Sequence, residues 1–125
     1  MPRPRNRPEE DLHRSVADYL DLALPSDAIW WHTPNQRGTR KAWENKLLKA
    51  LGVRAGFPDI AILWRGHLYC IELKSSTGRA SKEQQELMDR LRQSGASVTI
   101  CRTLDAVEIA LGFQWGFPLR AKVAA

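Results

Sequence analysis

The segment from Asp59 to Arg102 constrains this chain more than any other. Two apolar runs, DIAILW from Asp59 to Trp64 and HLYCIELK from His67 to Lys74, are separated only by Arg65-Gly66. A two-residue connection with glycine in second place specifies a β-hairpin. An amphipathic stretch follows from Ser81 to Ser94, with Leu87, Met88 and Leu91 facing inward and Gly95 behind it. SVTICR, Ser97 to Arg102, then reads as a buried strand. Strand, helix and strand from Leu68 to Arg102 form a βαβ unit, with parallel strands and a right-handed crossover. The hairpin adds an antiparallel neighbour. The expected fold is therefore α/β, a small mixed β-sheet flanked by helices.

The remaining elements fit around that unit. Leu12, Val16, Tyr19 and Leu20 recur at helical spacing, so Glu9 to Ala23 reads as a helix that Pro25 and Ser26 end. AIWWH, Ala28 to His32, reads as a short strand, and TPNQRG as a loop. Thr39 can cap a further helix in which Trp43, Leu47, Ala50 and Leu51 form one stripe, with Gly52 as its stop. Thr103 to Leu111 reads as a short helix. The chain has 125 residues, so one domain over 9–111 is expected. Residues 1–8, rich in Arg and Pro, read as a flexible basic tail. Residues 112–125 read as a second tail without clear period, whose Phe113, Trp115 and Phe117 offer apolar surface for a dimer contact.

Composition excludes several classes. With 43% hydrophobic and 26% charged residues, this is the profile of an ordinary globular domain. No apolar run approaches the ~18 residues of a membrane span. The start, MPRPRNRP, is basic, but no apolar stretch follows it, so it does not read as a secretory signal. Cys70 and Cys101 lie inside strand-like runs. Two buried free thiols in a reducing, cytoplasmic compartment are the default, and a disulfide between adjacent strands is the alternative. No CxxC or Cys/His cluster suggests zinc.

Net charge is +5, a balance that favours polyanions as partners. The charge is uneven: between Asn35 and Arg54, the residues Arg37, Arg40, Lys41, Lys46, Lys49 and Arg54 stand against Glu44 alone. Charge by itself does not separate a nucleic-acid-binding face from a solubilising one.

The hairpin also carries three charges. Side chains alternate along a strand, so Glu72 and Lys74 share one face while Ile71 and Leu73 point into the core. Counting back from an opposed Trp64–His67 pair places Asp59 opposite the Glu72 end of the partner strand. Two carboxylates and one ammonium thus converge at one end of the sheet. Buried carboxylates must be paired, hydrogen-bonded or bound to metal, and one lysine cannot neutralise two acids. A Mg²⁺ ion, which prefers oxygen ligands, would. Such an ion polarises a phosphodiester and activates water, and Lys74 can position that water or stabilise charge on the phosphorus. The alternative is a strand-start cap at Asp59 and an exposed Glu72–Lys74 ion pair on an edge strand.

Pro58-Asp59 followed by Glu72-Leu73-Lys74 resembles the pattern of the PD-(D/E)XK nuclease superfamily. The closer similarity is to its VRR-NUC group, often small stand-alone proteins of phages and prophages, akin to Holliday-junction resolvases. EEDLH (Glu9 to His13), HTPN (His32 to Asn35), GVRAGFPDI (Gly52 to Ile60) and GRASKEQ (Gly78 to Gln84) resemble that group's segments in order. The resemblance implies a restriction-endonuclease-like αβββαβ core with an inserted helix. It implies that Asp59 and Glu72, helped by the carbonyl of Leu73, ligate Mg²⁺ or Mn²⁺, with Lys74 as the catalytic lysine. Gln84 matches the group's glutamine, though Ser81-x-x-Gln84 is also a capping box. Glu9 or Glu10 would complete the metal's surroundings, with Glu9 on the face of Leu12, His13 and Val16. Where the group usually has Gln, this chain has His13. His32, Asn35 and Ser75 would contact phosphate at the edge of the site, and Arg37, Arg40, Lys41, Lys49 and Arg54 would hold the DNA backbone.

The expectation is a Mg²⁺-dependent endodeoxyribonuclease acting as a homodimer on branched DNA, with no membrane and no small-molecule cofactor. The competing expectation is a non-catalytic basic nucleic-acid-binding module, or a subunit of a phage DNA-processing complex, in which the acids are structural.

Overall fold

The turn at Arg65-Gly66 sets the sheet. Both residues have positive φ, 50° and 79°, the twist that matches a right-handed β-ribbon. It joins β2 (Ile60–Trp64) to β3 (His67–Leu73). In register, Trp64 faces His67 and Ile60 faces Ile71, so Asp59, one residue before β2, meets Glu72. The computed structural model describes residues 7–33, 42–52 and 54–123. It has β1 (Ile29–His32) antiparallel to β2, and β4 (Ser97–Cys101) parallel to β3. The sheet order is β1-β2-β3-β4. β3 is therefore a central strand, which removes the edge-strand reading of Glu72 and Lys74.

α1 (Arg7–Ala23) precedes β1, α2 (Ala42–Ala50) is inserted before β2, and α3 (Lys82–Gln93) crosses from β3 to β4. α1 begins in the expected tail. Pro8 sits in its first turn, where a missing N–H leaves no helical bond unmade. Val16, Tyr19, Leu20 and Ala23 of α1 pack with Ile60, Ile62, Ile71 and Leu73 of the sheet. Each such buried aliphatic side chain contributes roughly 1.5–3 kcal/mol. Cys70, Glu72 and Lys74 occupy the other face of β3. α3 covers it, because Gln84 from that helix hydrogen-bonds Glu72. Both thiols are free and buried, and burial pushes each up to about 11. The register sets Cys101 opposite Leu73 and Cys70 opposite Val98, so the thiols do not face one another.

Two features depart from the sequence reading. Of the stripe assigned to α2, Leu47, Ala50 and Leu51 are exposed, Leu47 and Leu51 at 50% and 72%. Periodicity shows that a helix has an apolar side, not that a neighbour covers it. Gly52, at φ 96°, ends this helix as expected. At the C-terminus, α4 (Leu104–Glu108) runs into a π-helical stretch, Ile109–Gln114, and the chain then folds back. Phe117 is buried and stacks on Trp64, with centroids 4.6 Å apart, and meets Tyr69 at 4.7 Å. Trp115 packs against the same core, while Phe113 is 88% exposed. The segment is stitched to α1: the Arg120 N–H donates to the Ala23 carbonyl at 2.8 Å, and the Tyr19 hydroxyl to the Ala121 carbonyl at 3.0 Å. Among the described residues, no helix is long and apolar enough to cross a membrane.

Candidate active site

The Pro58-Asp59 step is held by the end of β1. Buried Thr33 donates its N–H to the Asp59 carbonyl at 2.8 Å and its hydroxyl to the Pro58 carbonyl. With the backbone fixed, the Asp59 side chain reaches across the hairpin, and Oδ2 accepts the N–H of Leu73 at 2.8 Å. In return, the Asp59 N–H donates to Glu72 Oε1 at 3.2 Å. The two carboxylates are thus locked to each other's strand by the register that the turn imposes.

Glu72 Oε2 is shared. Lys74 Nζ lies 2.9 Å from it, because residues two apart on a strand share a face. Gln84 Nε2 donates to the same oxygen at 2.9 Å. The side chains of Glu72 and Lys74 are 1% and 3% exposed. Burial, reinforced by the neighbouring Asp59 charge and only partly offset by Lys74, pushes the Glu72 carboxyl up to about 7. The buried group holds two carboxyls against one ammonium, and it suits a cation that takes the place of the Glu72 proton.

Gln84 both caps α3 and hydrogen-bonds Glu72. Its N–H donates to Ser81 Oγ at 3.1 Å, and its Oε1 accepts from the Ser81 N–H at 2.9 Å, a complete capping box. That use of Oε1 leaves only the amide NH₂ to face Glu72, so the helix cap orients the site residue. Gly56 makes the approach possible. It has φ 80°, and a Cβ there would lie 3.1 Å from the Glu83 carbonyl oxygen and 3.2 Å from the Gln84 nitrogen.

From the other side, α1 brings Glu9 and His13, one turn apart, toward Asp59. One ligand atom from each of the three lies within 4.8 Å of the others. Glu10 is exposed on a different face. His13 Nε2 is 3.7 Å from Asp59 Oδ2. The ring of His32, at the end of β1, meets that of His13 edge-on at 5.4 Å, so His32 lies at the rim of the site. Ser75 follows Lys74, and its hydroxyl accepts the Gly78 N–H at 3.1 Å. Arg102 Nη1 donates to the carbonyls of Ser75 and Gly78, at 2.7 Å for Ser75, and pins the loop beside Lys74. Lys49 and Arg54 are exposed and line a groove with Leu87 and Arg90, against α3. Asn35, Arg37, Arg40 and Lys41 lie outside the described residues.

Asp59, Glu72, Leu73, Lys74, Gln84 and Glu9 thus come together from four parts of the chain. Thr33 and Arg102 were not among the residues singled out. His13 was named as a departure from the group's usual Gln and as a residue on the Glu9 face of α1, one turn from Glu9. Thr33 and Arg102 act through backbone carbonyls, which leave no trace in composition or period. The donor set, carboxylates with one imidazole and main-chain oxygens at hand, fits a small divalent cation.

The fold is a mixed α/β sheet that gathers two acids, a lysine and a glutamine at one end. The VRR-NUC domain profile matches residues 6–104, and the chain belongs to the VRR-NUC family. Two solved structures share its fold. One, described as a "VRR_NUC domain protein", is 20% identical with a TM-score of 0.63, over 92% of this chain and 98% of that one. Another, a "VRR_NUC domain", is 18% identical with a TM-score of 0.55, over 85% of this chain and 96% of that one. None of the curated proteins matches the chain.

Proposed function

We propose that this chain is a Mg²⁺- or Mn²⁺-dependent endodeoxyribonuclease that hydrolyses phosphodiester bonds in branched or junction DNA as a cytoplasmic homodimer. The observation that carries the reading is the buried convergence of Asp59, Glu72, Lys74 and Gln84, in a domain of a nuclease-type family. An ion pair meant only for stability would be better replaced by apolar residues at this depth.

Asp59, Glu72 and the carbonyl of Leu73 would hold the ion, with Glu9 beside them. When bound, it supplies Lewis acidity to the phosphodiester and lowers the pKa of water. The chain's own residues do the rest. Gln84 holds Glu72 Oε2 in place. Lys74 Nζ, tethered to that oxygen, is positioned to donate to a water or to the charge that develops on the phosphate. A water oxygen would form a new bond to phosphorus as the bond from phosphorus to the 3′ oxygen breaks and that oxygen takes up a proton, leaving 5′-phosphate and 3′-hydroxyl ends, as the superfamily resemblance implies. Lys49 and Arg54, with the basic residues at 37–41, would grip the backbone without reading bases. Ser75, His32 and Asn35 would contact phosphates nearer the site.

One domain with one site cuts one strand, so symmetric cleavage of a junction requires two copies. The exposed side chains of Phe113 and Trp31 offer apolar contact for that pairing. A monomeric mass in solution at micromolar concentration would count against the dimer.

The test is cleavage of an end-labelled four-way junction, splayed arm, flap and linear duplex. Each is run in Mg²⁺, Mn²⁺, Ca²⁺ or EDTA beside Asp59→Ala. Metal-dependent cutting that is lost in Asp59→Ala, with binding retained, is the expected result. Binding without cutting in any metal would instead establish a nucleic-acid-binding module.

A further inference from the structure

The α1 side of the site differs in donor chemistry from the β3 side. Both oxygens of Glu72 are engaged from within the protein: Oε1 by the Asp59 N–H, and Oε2 by Gln84 and Lys74. Among the described residues, Glu9, His13 and Asp59 form a group whose ligand atoms lie within 4.8 Å of one another. Glu9 and His13 are one turn apart on α1 and project from one face. The edge-on contact with His32, at an interplanar angle of 85°, limits how the His13 ring can turn. Its Nε2 stands 3.7 Å from Asp59 Oδ2, and the side chain is 21% exposed, open enough for an ion to reach. Two carboxylates and one imidazole nitrogen are a mixed donor set. Mg²⁺ takes oxygen ligands and keeps its waters. First-row transition ions accept imidazole readily.

We infer that His13 is a nitrogen ligand to the divalent cation of this site, and that it makes the site favour first-row transition ions over Mg²⁺. The inference rests on the metal-dependent reading above and assigns that ion a ligand of different chemistry from Asp59 and Glu72.

Mn²⁺ is the probe, added to the full chain without DNA. Pulsed electron paramagnetic resonance of the frozen Mn²⁺ complex is expected to show ¹⁴N modulation from a bound imidazole. Labelling the histidines with ¹⁵N replaces that pattern with no substitution in the chain, so the result does not depend on a variant that folds. In His13→Gln the nitrogen signal disappears. Calorimetry then shows Mn²⁺ affinity reduced roughly tenfold or more, the scale seen when groups around a metal are removed. Mg²⁺ affinity is nearly unchanged, because the amide oxygen of glutamine still suits a hard ion.

Absence of ¹⁴N modulation in the Mn²⁺-bound wild type overturns the inference, as does a signal that survives in His13→Gln, or a protein that binds no Mn²⁺. Metal-dependent DNA cutting without the nitrogen signal refutes the ligand role and leaves the nuclease reading standing. The nitrogen signal without cutting of any DNA does the reverse.

Discussion

The buried Glu72 carboxyl makes the metal-free protein's stability depend on pH in an unusual direction. Its pKa is raised from 4.5 to about 7 in the fold. At about 1.4 kcal/mol per unit, that is on the order of 3 kcal/mol. Between these two values the folded state holds a proton that the unfolded chain has released. Stability from this group is therefore fully present below about pH 4.5 and is lost as pH rises through about 7. Most paired acids do the opposite. Urea unfolding in EDTA at pH 5, 6, 7 and 8, for the wild type beside Glu72→Gln, isolates the term, because glutamine mimics the neutral acid at every pH. Part of that is already lost at pH 5, so the wild type should fall relative to Glu72→Gln by roughly 2.5 kcal/mol across the series, on the order of 10 °C in Tm. Adding Mn²⁺ should reverse the trend, since the ion binds the carboxylate and releases the proton. The added stability should then be larger at pH 8 than at pH 6. A flat difference curve would refute the reasoning. A wild type that gains on the variant as pH rises would mean that Lys74 and Gln84 dominate over burial.

Three further outcomes follow from single contacts. Lys74→Ala should retain DNA binding and lose cleavage, and should cost on the order of 3 kcal/mol in EDTA at pH 8, because it leaves Glu72 without its buried partner; junction cleavage and chemical denaturation read the two effects. Gly56→Ala combines a positive φ with a Cβ 3.1 Å from a backbone oxygen of α3, and should destabilise by roughly 1–3 kcal/mol. The same change should displace Gln84, so cleavage should fall more than binding does. Lys49→Ala with Arg54→Ala should weaken DNA binding uniformly across sequences and reduce the slope of log K against log salt by about 2, a change measured by fluorescence anisotropy over a salt series.

How far the sequence carried depends on the range of each interaction. The hairpin, the βαβ unit and the opposition of Asp59 to Glu72 follow from a turn dipeptide and a period of two. Those are local rules, and the register agrees with them. α1 was legible for the same reason, since Val16, Tyr19, Leu20 and Ala23 bury one stripe. α2 shows where the rule stops, because Leu47 and Leu51 have the period and are nonetheless exposed. The C-terminal segment shows the converse. Phe117 has no period around it, yet it is buried by Trp64 and Tyr69, far away in the chain. In the site, the residues with a charge and a spacing were readable. His13 was visible as a departure and by its place on the Glu9 face of the helix, while Thr33 and Arg102 work through carbonyls that no side-chain pattern announces.

The dual use of Gln84 explains why the site can hold so much charge at 1–3% exposure. Its Oε1 closes the N-terminus of α3, while its NH₂ reaches Glu72. Forming the helix and orienting the site residue are therefore one event. Ser81→Pro beside Ser81→Ala tests this coupling. Alanine removes only the hydroxyl that accepts the Gln84 N–H and should cost about 1 kcal/mol, with Mn²⁺ affinity unchanged, because its own N–H still donates to Oε1. Proline, which fits the Ser81 φ of −67°, removes that N–H as well. If the cap orients the amide, Glu72 then loses a hydrogen bond that only its oriented donor can make, and metal affinity should change along with stability. If Ser81→Pro left Mn²⁺ affinity at the Ser81→Ala value, Gln84 would be held by Glu72 alone and the cap would be only a helix cap.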